Sequence, residues 1–582
     1  MEKVKKDWIL KPFETKKINE LKSELKISHL ICKLLVQRGI YGYDEAKDFF
    51  RPKLEQLHDP FLMKGMKKAC KRISTAIDNN ESILIYGDYD VDGTTAVSLM
   101  YSFLKPLNKN IEYYIPDRYK EGYGVSEKAI EYASEKKVRV IISLDCGITN
   151  LKEVELAQKN NIDFIICDHH LPEKHLPKAF SILNPKQKDC KYPFKELSGC
   201  GVGFKLIQGI SINRNLSKEI AFEKLDLVAI SIACDMVTVS GENRILAHFG
   251  LRLLNKNTRA GIKLILNSYL VYGAASQSIY DLRFSDLAFK IGPKINAAGR
   301  MGDAKDAVRL LLSDKNKTAT AFYAILKEKN EARKQKQNSV IEIALDYINK
   351  SPELLNKNSM VLYDDSWHKG VVGIAASKLI EHFFKPTIIF AGNDNIITGS
   401  ARSIPGINIH KAINDCSKWL VRFGGHKMAA GLSLKKSDLM HFTNDFEKAI
   451  NKQMPLQDIK PELHIDTELA FDEISPSLIN IIKQMEPFGP GNPEPLFISK
   501  GLFDTGLSKI VKKEHLKLNI KQKGANKLMN GIAFNQAKAY DKITKNNNFA
   551  LCYTLYENTW QNKKNIELMV KDFSFNNENT RQ

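Results

Sequence analysis

No run of apolar residues in this chain approaches the roughly 20 needed to cross a bilayer, so no membrane span is expected. The amino terminus, Met1-Glu2-Lys3-Val4-Lys5-Lys6-Asp7-Trp8, lacks the apolar core of a signal peptide. The nine cysteines, an odd number, include no Cys-x-x-Cys pair. That usage fits reduced thiols in the cytoplasm better than a disulfide framework or a zinc knuckle. No G-x-x-x-x-G-K-[ST] is present, which argues against a P-loop ATPase or helicase. No internal repeat stands out, and low complexity is confined to the polar tail Asn576 to Gln582. Acidic residues are outnumbered, 67 Asp and Glu against 87 Lys and Arg, for a net charge of +20. Such a surplus favours a polyanionic partner, nucleic acid first.

What the chain does have is three short acidic clusters, each just after a run of apolar β-formers. Ser82-Ile83-Leu84-Ile85-Tyr86 leads into Gly87-Asp88-Tyr89-Asp90-Val91-Asp92-Gly93. Val140 to Leu144 leads into Asp145-Cys146-Gly147, and Phe164 to Cys167 into Asp168-His169-His170. Runs of this length read as buried strands of a parallel sheet, whose ligands gather beyond the carboxyl ends. Carboxylates joined by imidazoles suit Mn²⁺, Fe²⁺ or Zn²⁺, and the expectation is a metal-dependent hydrolase.

Asp88-x-Asp90-x-Asp92-Gly93 is not an EF-hand loop, because Leu99 stands at the twelfth position and no helix precedes it. In a turn after a strand, Asp90 and Asp92 can each hold a metal, while Asp88 stays open between ligand, ligand support and turn former. Of the adjacent His169 and His170, one is expected to bind metal and the other to face substrate. Asp145 is placed to bridge two ions. Asp235 follows the apolar run Leu227 to Cys234, where a buried carboxylate needs a partner or a cation, with surface exposure as the alternative.

At 582 residues, three or four domains are expected. Residues 1–75 read as a charged helical appendage, and 76–312 as an α/β unit of alternating strands and helices. Residues 313–350 read as a connecting helix, since 303–351 contain neither Gly nor Pro. A second, Gly-rich α/β unit takes 351–455, a small basic β-barrel 456–575, and a flexible tail 576–582. The barrel's Tyr553, Tyr556, Trp560, Phe573 and Phe575 suit either base stacking or core packing.

The four clusters Gly-Asp-Tyr-Asp-Val-Asp-Gly, Leu-Asp-Cys-Gly, Asp-His-His and Ala-Cys-Asp stand in the order and spacing of the DHH phosphoesterase superfamily. Ile295-Asn296-Ala297-Ala298-Gly299-Arg300, Trp367-His368-Lys369-Gly370-Val371-Val372-Gly373, Gly399-Ser400-Ala401-Arg402-Ser403 and Phe423-Gly424-Gly425-His426 resemble its RecJ-type exonuclease branch. The resemblance runs nearly the whole chain. It implies a DHH-type parallel-sheet catalytic domain, a long connecting helix, a DHH-associated α/β domain and an oligonucleotide-binding barrel. It also implies 5′ to 3′ degradation of single-stranded DNA to mononucleotides with two divalent cations, Mn²⁺ or Mg²⁺, in DNA repair and recombination. A monomer, with a single-strand-binding protein and a helicase as partners, is implied too. Two positions depart from the family pattern: Ala401, where Gly is usual, and Tyr86, where some relatives carry a His that reaches a metal.

On this reading Asp90 and Asp92 each favour one ion, Asp145 bridges, and His169 and Asp235 complete the second site. Asp168 orients an imidazole, and His170 and Arg300 contact the scissile phosphate. Ser400, Arg402, Gly424, Gly425 and His426, with Arg118, form a pocket for a 5′-phosphate. Lys512, Lys513, Lys517, Lys521, Lys523 and Lys527 make the barrel's basic face. The competing expectations are a DHH phosphodiesterase for short oligonucleotides or cyclic dinucleotides, and an inactive single-strand-binding scaffold.

Overall fold

The structure is a computed structural model and describes residues 4–269, 282–453, 459–546, 548–560, 563–575 and 580–581. The chain forms two compact units, Leu10–Lys327 with Ile465–Glu578, and Met1–Ile9 with Glu328–His464 and Asn579–Gln582.

In the first unit the apolar runs form a five-stranded, all-parallel sheet. Its strands are β1 (Ile83–Gly87), β2 (Ile111–Tyr114), β3 (Val140–Leu144), β4 (Asp163–Cys167) and β5 (Ser181–Leu183), in the order β2-β1-β3-β4-β5. Every residue of β1 and β3 is buried because helices cover both faces. Ile83, Ile85, Val140 and Ile142 face helices Met66–Asp78, Val91–Leu104 and Gly199–Asn213. Leu84, Tyr86, Ile141 and Phe164 alternate to the other face, against Glu127–Glu135 and Leu151–Lys159.

Two expectations about the first unit are corrected. The boundary at residue 75 falls inside helix Met66–Asp78, whose apolar face is core of the parallel-sheet layer. The preceding helices are no appendage: Ile18, Leu21, Leu34 and Leu35 share one hydrophobic core with Phe497, Leu551 and Tyr553 of the barrel. Helix Asn316–Lys350 runs unbroken for 35 residues, as the absence of Gly and Pro predicts.

The second unit holds β6 (Met360–Asp364), β7 (Thr387–Ala391), β8 (Ile396–Arg402), β9 (Leu420–His426) and β10 (Ala429–Lys435), in the order β9-β10-β8-β7-β6. Within this sheet only β6 and β7 pair in parallel. Helix Val372–Phe383 packs on one face and Leu439–Asn451 on the other. β9 is an edge strand, largely exposed.

The barrel comprises β11 (Thr467–Glu468), β12 (Phe497–Asp504), β13 (Lys509–Val511), β14 (His515–Gln522), β15 (Leu528–Ala533), β16 (Phe549–Trp560) and β17 (Lys563–Ser574). They run β11-β12-β16-β17-β15-β14-β13, and a β12–β14 pairing closes the ring. Tyr553 is core, packed on Phe497 and hydrogen bonded to Ser499. Tyr556 bonds Glu567, and Phe573 stacks on Phe575 beside the same core. The side chain of Trp560 lies outside the described residues, as does most of the tail; Thr580 and Arg581 pair with Trp8 and Ile9. Among the described residues, no helix is long and apolar enough to cross a membrane.

Candidate metal centre

The acidic clusters converge where the parallel strands end. Asp88 follows β1, and Asp90 caps helix Val91–Leu104 by accepting the Gly93 N–H at 3.0 Å. Gly93 allows this turn: a Cβ there would lie 2.3 Å from the Asp88 carbonyl oxygen. Asp92 sits in the first turn of the helix. Asp145, after β3, is held at φ +62°, a backbone conformation that costs a non-glycine residue and persists where surrounding structure fixes it. Gly199 makes room for it, since a Cβ there would come within 2.7 Å of Asp145 Oδ1. Asp168, His169 and His170 follow β4. The run before Asp235 is a helix, Leu225–Cys234, and Asp235 is its C-cap.

His169 Nε2 lies 3.2 Å from Asp145 Oδ1, 3.5 Å from Asp235 Oδ2 and 3.8 Å from Asp92 Oδ2. Ligand atoms sharing a cation at about 2.0–2.2 Å stand about 3 Å apart, so the separations suit a common ion. Three sets of ligand atoms fall within 4.8 Å of one another: Asp88, Asp90 and Asp145; Asp92, His169 and Asp235; and Asp145, His169 and His170. Asp145 belongs to two of the three. Asp88 Oδ1, Asp145 Oδ1 and both ring nitrogens of His169 are buried and make no hydrogen bond. Leaving four such atoms unsatisfied together is costly unless a cation completes them.

The electrostatics agree. Burial, reinforced by neighbouring carboxylates, pushes Asp88, Asp145 and Asp235 well above the usual carboxylate range, and Asp90 upward. Burial lowers His169, favouring the neutral ring that ligates metal. Asp168 behaves differently. Burial opposes its charge, but the 2.7 Å bond to His170 Nδ1, the His170 charge and the backbone N–H groups of His170 and Ile148 outweigh it and hold its pKa at about 2. Burial likewise opposes charge on His170, yet Asp168 raises its pKa to about 9.

Asp92 is fixed by residues that sequence reasoning missed. It accepts the N–H groups of Gly199 (2.7 Å) and Cys200 (2.8 Å) and the Ser231 hydroxyl (2.7 Å). The available signal was Ser198-Gly199-Cys200-Gly201-Val202-Gly203, a Ser-capped helix start with glycines that admit close approach. Tyr123 was missed as well; its hydroxyl lies 3.2 and 3.3 Å from the two ring nitrogens of His170. Gly122 and Gly124, both at positive φ, mark its turn.

Arg118 lies 4.9 Å over the Tyr89 ring, and its charge acts on Asp88. Tyr119 donates to the Arg300 carbonyl, and Gly299 lets helix Gly292–Met301 approach the Tyr89 backbone. Arg118 and Arg300 thus belong to the unit that holds the carboxylates. Tyr86 is buried with its hydroxyl on the Gly124 carbonyl at 2.7 Å, in the core layer shared with helices Glu127–Glu135 and Leu151–Lys159.

In the second unit, Ser400 and Arg402 share one face of β8, where Arg402 donates to the Ser400 hydroxyl (3.0 Å) and the Ala401 carbonyl (2.8 Å). A Cβ at Gly373 would lie 2.8 Å from Ser400 Oγ and 2.9 Å from Arg402 Nη2, so the start of helix Val372–Phe383 packs on this pair. Arg402 and His426 both pair with Ala429, from opposite sides of β10. Gly424 and Gly425 precede His426 on β9; Gly425, at φ +142°, leaves no room for a side chain against Ala429 and Ala430. Ala401 points into the hydrophobic core, so its methyl lies on the face opposite Ser400 and Arg402.

Three family models match the chain: the DHH family N-terminal domain at residues 82–232, the DHHA1 domain at 356–452 and the RecJ OB domain at 465–572. The single-stranded-DNA-specific exonuclease RecJ of Bacillus subtilis (strain 168) is 34% identical over 568 residues, 97% of this chain and 70% of the relative. That of Escherichia coli (strain K12) is 31% identical over 560 residues, 93% of this chain and 95% of the relative. The chain belongs to the RecJ family. A crystal structure of RecJ in complex with Mn²⁺ from Thermus thermophilus matches it with a TM-score of 0.82 at 26% identity, over 97% of this chain and 79% of the other. A crystal structure of an exonuclease RecJ bound to manganese matches at a TM-score of 0.58 and 28% identity, over 70% of this chain and 99% of the other. The RecJ resemblance carried by the motifs is borne out, together with the DHH-type sheet, the second α/β domain and the barrel.

Proposed function

We propose that this RecJ-family chain is a metal-dependent exonuclease that degrades single-stranded DNA from its 5′ end to mononucleotides. The observation that carries the reading is the convergence of carboxylates and imidazoles in which Asp88 Oδ1, Asp145 Oδ1 and both ring nitrogens of His169 are buried without a hydrogen bond. The donor set fits two divalent cations, Mn²⁺ or Mg²⁺. Asp88, Asp90 and Asp145 would hold one, and Asp92, His169 and Asp235 the other, with Asp145 belonging to two of the three ligand sets. Bound there, such a pair supplies an activated water and neutralises charge on the leaving oxygen.

The remaining groups work around that centre. Gly199, Cys200 and Ser231 hold the Asp92 carboxylate in place, and Asp168 fixes the His170 ring through Nδ1, leaving a charged Nε2–H for the scissile phosphate. Arg118 and Arg300 bring positive charge to the same edge. In the second unit Ser400, Arg402, Gly424, Gly425 and His426 receive the terminal 5′-phosphate, where glycines bring backbone close and Arg402 offers a fork of donors. The barrel adds affinity through its lysines. A single strand needs exposing, so a single-strand-binding protein and a helicase are fitting partners, and we take the chain as a monomer that serves repair and recombination. Nine unpaired cysteines suit the cytoplasm.

The test is a long single strand labelled at either end, incubated with Mn²⁺ beside a duplex and an EDTA control. Immediate release of labelled mononucleotide from the 5′ end alone is expected. Intact long strands beside rapid dinucleotide hydrolysis would move the chain to small substrates, and bound Mn²⁺ without hydrolysis would make it a scaffold.

A further inference from the structure

Asp235 is followed by a short link, Met236 to Ser240, that joins helix Leu225–Cys234 to helix Gly241–Lys256. Its first residue, Met236, is exposed and held at φ +57°. A non-glycine residue keeps that conformation only where its surroundings impose it. The link meets a tight turn from the root of the barrel, Gly489-Pro490-Gly491-Asn492.

The turn is closed by Gly489 N–H to the Asn492 carbonyl (2.9 Å) and Asn492 N–H back to Gly489 (3.0 Å). Proline followed by a glycine at φ +79° is the type II pattern. At its tip, the Pro490 carbonyl accepts the Val239 N–H at 2.6 Å and the Thr238 hydroxyl at 3.4 Å. The fit leaves no space: a Cβ on Gly489 would lie 2.6 Å from Val239 Cγ2, and one on Gly491 2.2 Å from Thr238 Oγ1.

The turn is itself rigidly held. Buried Asn492 donates to the Met485 and Pro487 carbonyls, 2.9 Å each, and accepts from Arg38 Nε at 3.0 Å. Arg244, at the start of the helix beyond the link, donates to the Met485 carbonyl (3.0 Å) and to that of Phe49 (3.0 Å).

We infer that the Gly489–Asn492 turn is a positioning element for Asp235. By clamping Thr238 and Val239 it fixes the link, and so sets the reach of the Asp235 carboxylate toward His169 and Asp92. The inference rests on the two-cation reading above. Asp235 is the most exposed of its three candidate ligands and sits at a helix end, so its position depends most on how the link beyond it is anchored.

The test is Mn²⁺ binding to the purified full chain, titrated by electron paramagnetic resonance with no substrate present, alongside strand cleavage at varied Mn²⁺. Gly491→Ala is expected to weaken one of two Mn²⁺ sites by roughly tenfold or more, the usual effect of losing support behind a ligand, and to leave the other unchanged. Half-saturating Mn²⁺ for cleavage should rise in parallel, while KM for the strand at saturating Mn²⁺ stays at the wild-type value. Thr238→Val leaves the turn's own sequence intact and removes only the hydroxyl, so it decides the matter if Gly491→Ala does not fold; a smaller weakening of the same site is expected. Wild-type Mn²⁺ affinity at both sites in the folded variants overturns the inference alone. Fewer than two Mn²⁺ on the wild-type chain overturns the two-cation reading and this inference with it.

Discussion

The parallel sheet of the first unit and the mixed sheet of the second treat their polar groups in opposite ways. Beyond the parallel strands, carboxylates and imidazoles are driven together and buried, with Asp88 Oδ1, Asp145 Oδ1 and both His169 ring nitrogens making no hydrogen bond. On the second sheet, Arg402 is already bonded to Ser400 and to its own strand, and the neighbouring β9 is open to solvent. In one region buried ligand atoms are left without partners; in the other the donors are already engaged within the protein. On the proposed reading, the difference separates a centre whose buried atoms cations would complete from a surface on which a strand end would dock.

The sharpest way to break this contrast is Asp145, shared between two ligand sets. Asp145→Ala is expected to lower cleavage by on the order of 10³-fold or more while strand binding remains measurable; near-normal turnover would remove the bridging role. Asp145→Asn probes the stability side. In EDTA it should melt above the wild type, because one of several mutually repelling buried carboxylates is gone. In saturating Mn²⁺ the order should reverse, since only the wild type gains full binding energy from the ions. The folded-state pKa values of these carboxylates are raised, so protonation favours the folded chain and that contribution is lost as pH rises. The EDTA gap between Asp145→Asn and wild type should therefore narrow as pH falls, and a gap independent of pH would contradict the repulsion argument.

Effects in the second unit should be milder. Arg402→Ala is expected to weaken the preference for a 5′-phosphorylated strand by roughly 10–100-fold, the worth of one or two charge-assisted hydrogen bonds, with Mn²⁺ binding unaltered. Unchanged discrimination between phosphorylated and hydroxyl 5′ ends would sink that pocket. Milder again is the barrel. Removing Lys512, Lys513 and Lys517 together should lower the slope of log affinity against log salt by about 2, at roughly 0.7 per phosphate contact on a single strand.

The same contrast governs what could be read in advance. Strands buried on both faces give unbroken apolar runs, so β1, β3 and β4 and the acids after them were legible as spacing alone. Asp235 was legible only as an acid ending an apolar run, and not as the cap of a helix, because a run such as Leu227 to Cys234 does not tell a buried helix from a strand. Gly199 and Ser231 escaped notice because they reach Asp92 only through tertiary packing, more than a hundred residues away in the chain. The amino-terminal helices looked like a separate piece since their charges are many; their few apolar residues nonetheless complete the barrel core. The barrel aromatics stayed open between stacking and core in the sequence, and Tyr553 falls on the core side: a β-barrel this small spends its largest side chains on its own interior.

The smallest expected effect concerns the one lysine of the basic face that local structure withdraws. Lys527 is half-buried and its ammonium donates to the Ile474 carbonyl, whereas Lys513 is exposed, at φ +63° in the turn between β13 and β14. Lys513→Ala should therefore lower strand affinity and trim the salt slope by about 0.7, the share of a single phosphate contact. Lys527→Ala should leave both unchanged and instead cost about 1 kcal/mol of stability, the net worth of one hydrogen bond, read as a lower midpoint in urea. Equal losses of affinity from the two substitutions would mean that Lys527 leaves Ile474 for the strand, and that the barrel's lysines act as a mobile field rather than as fixed contacts.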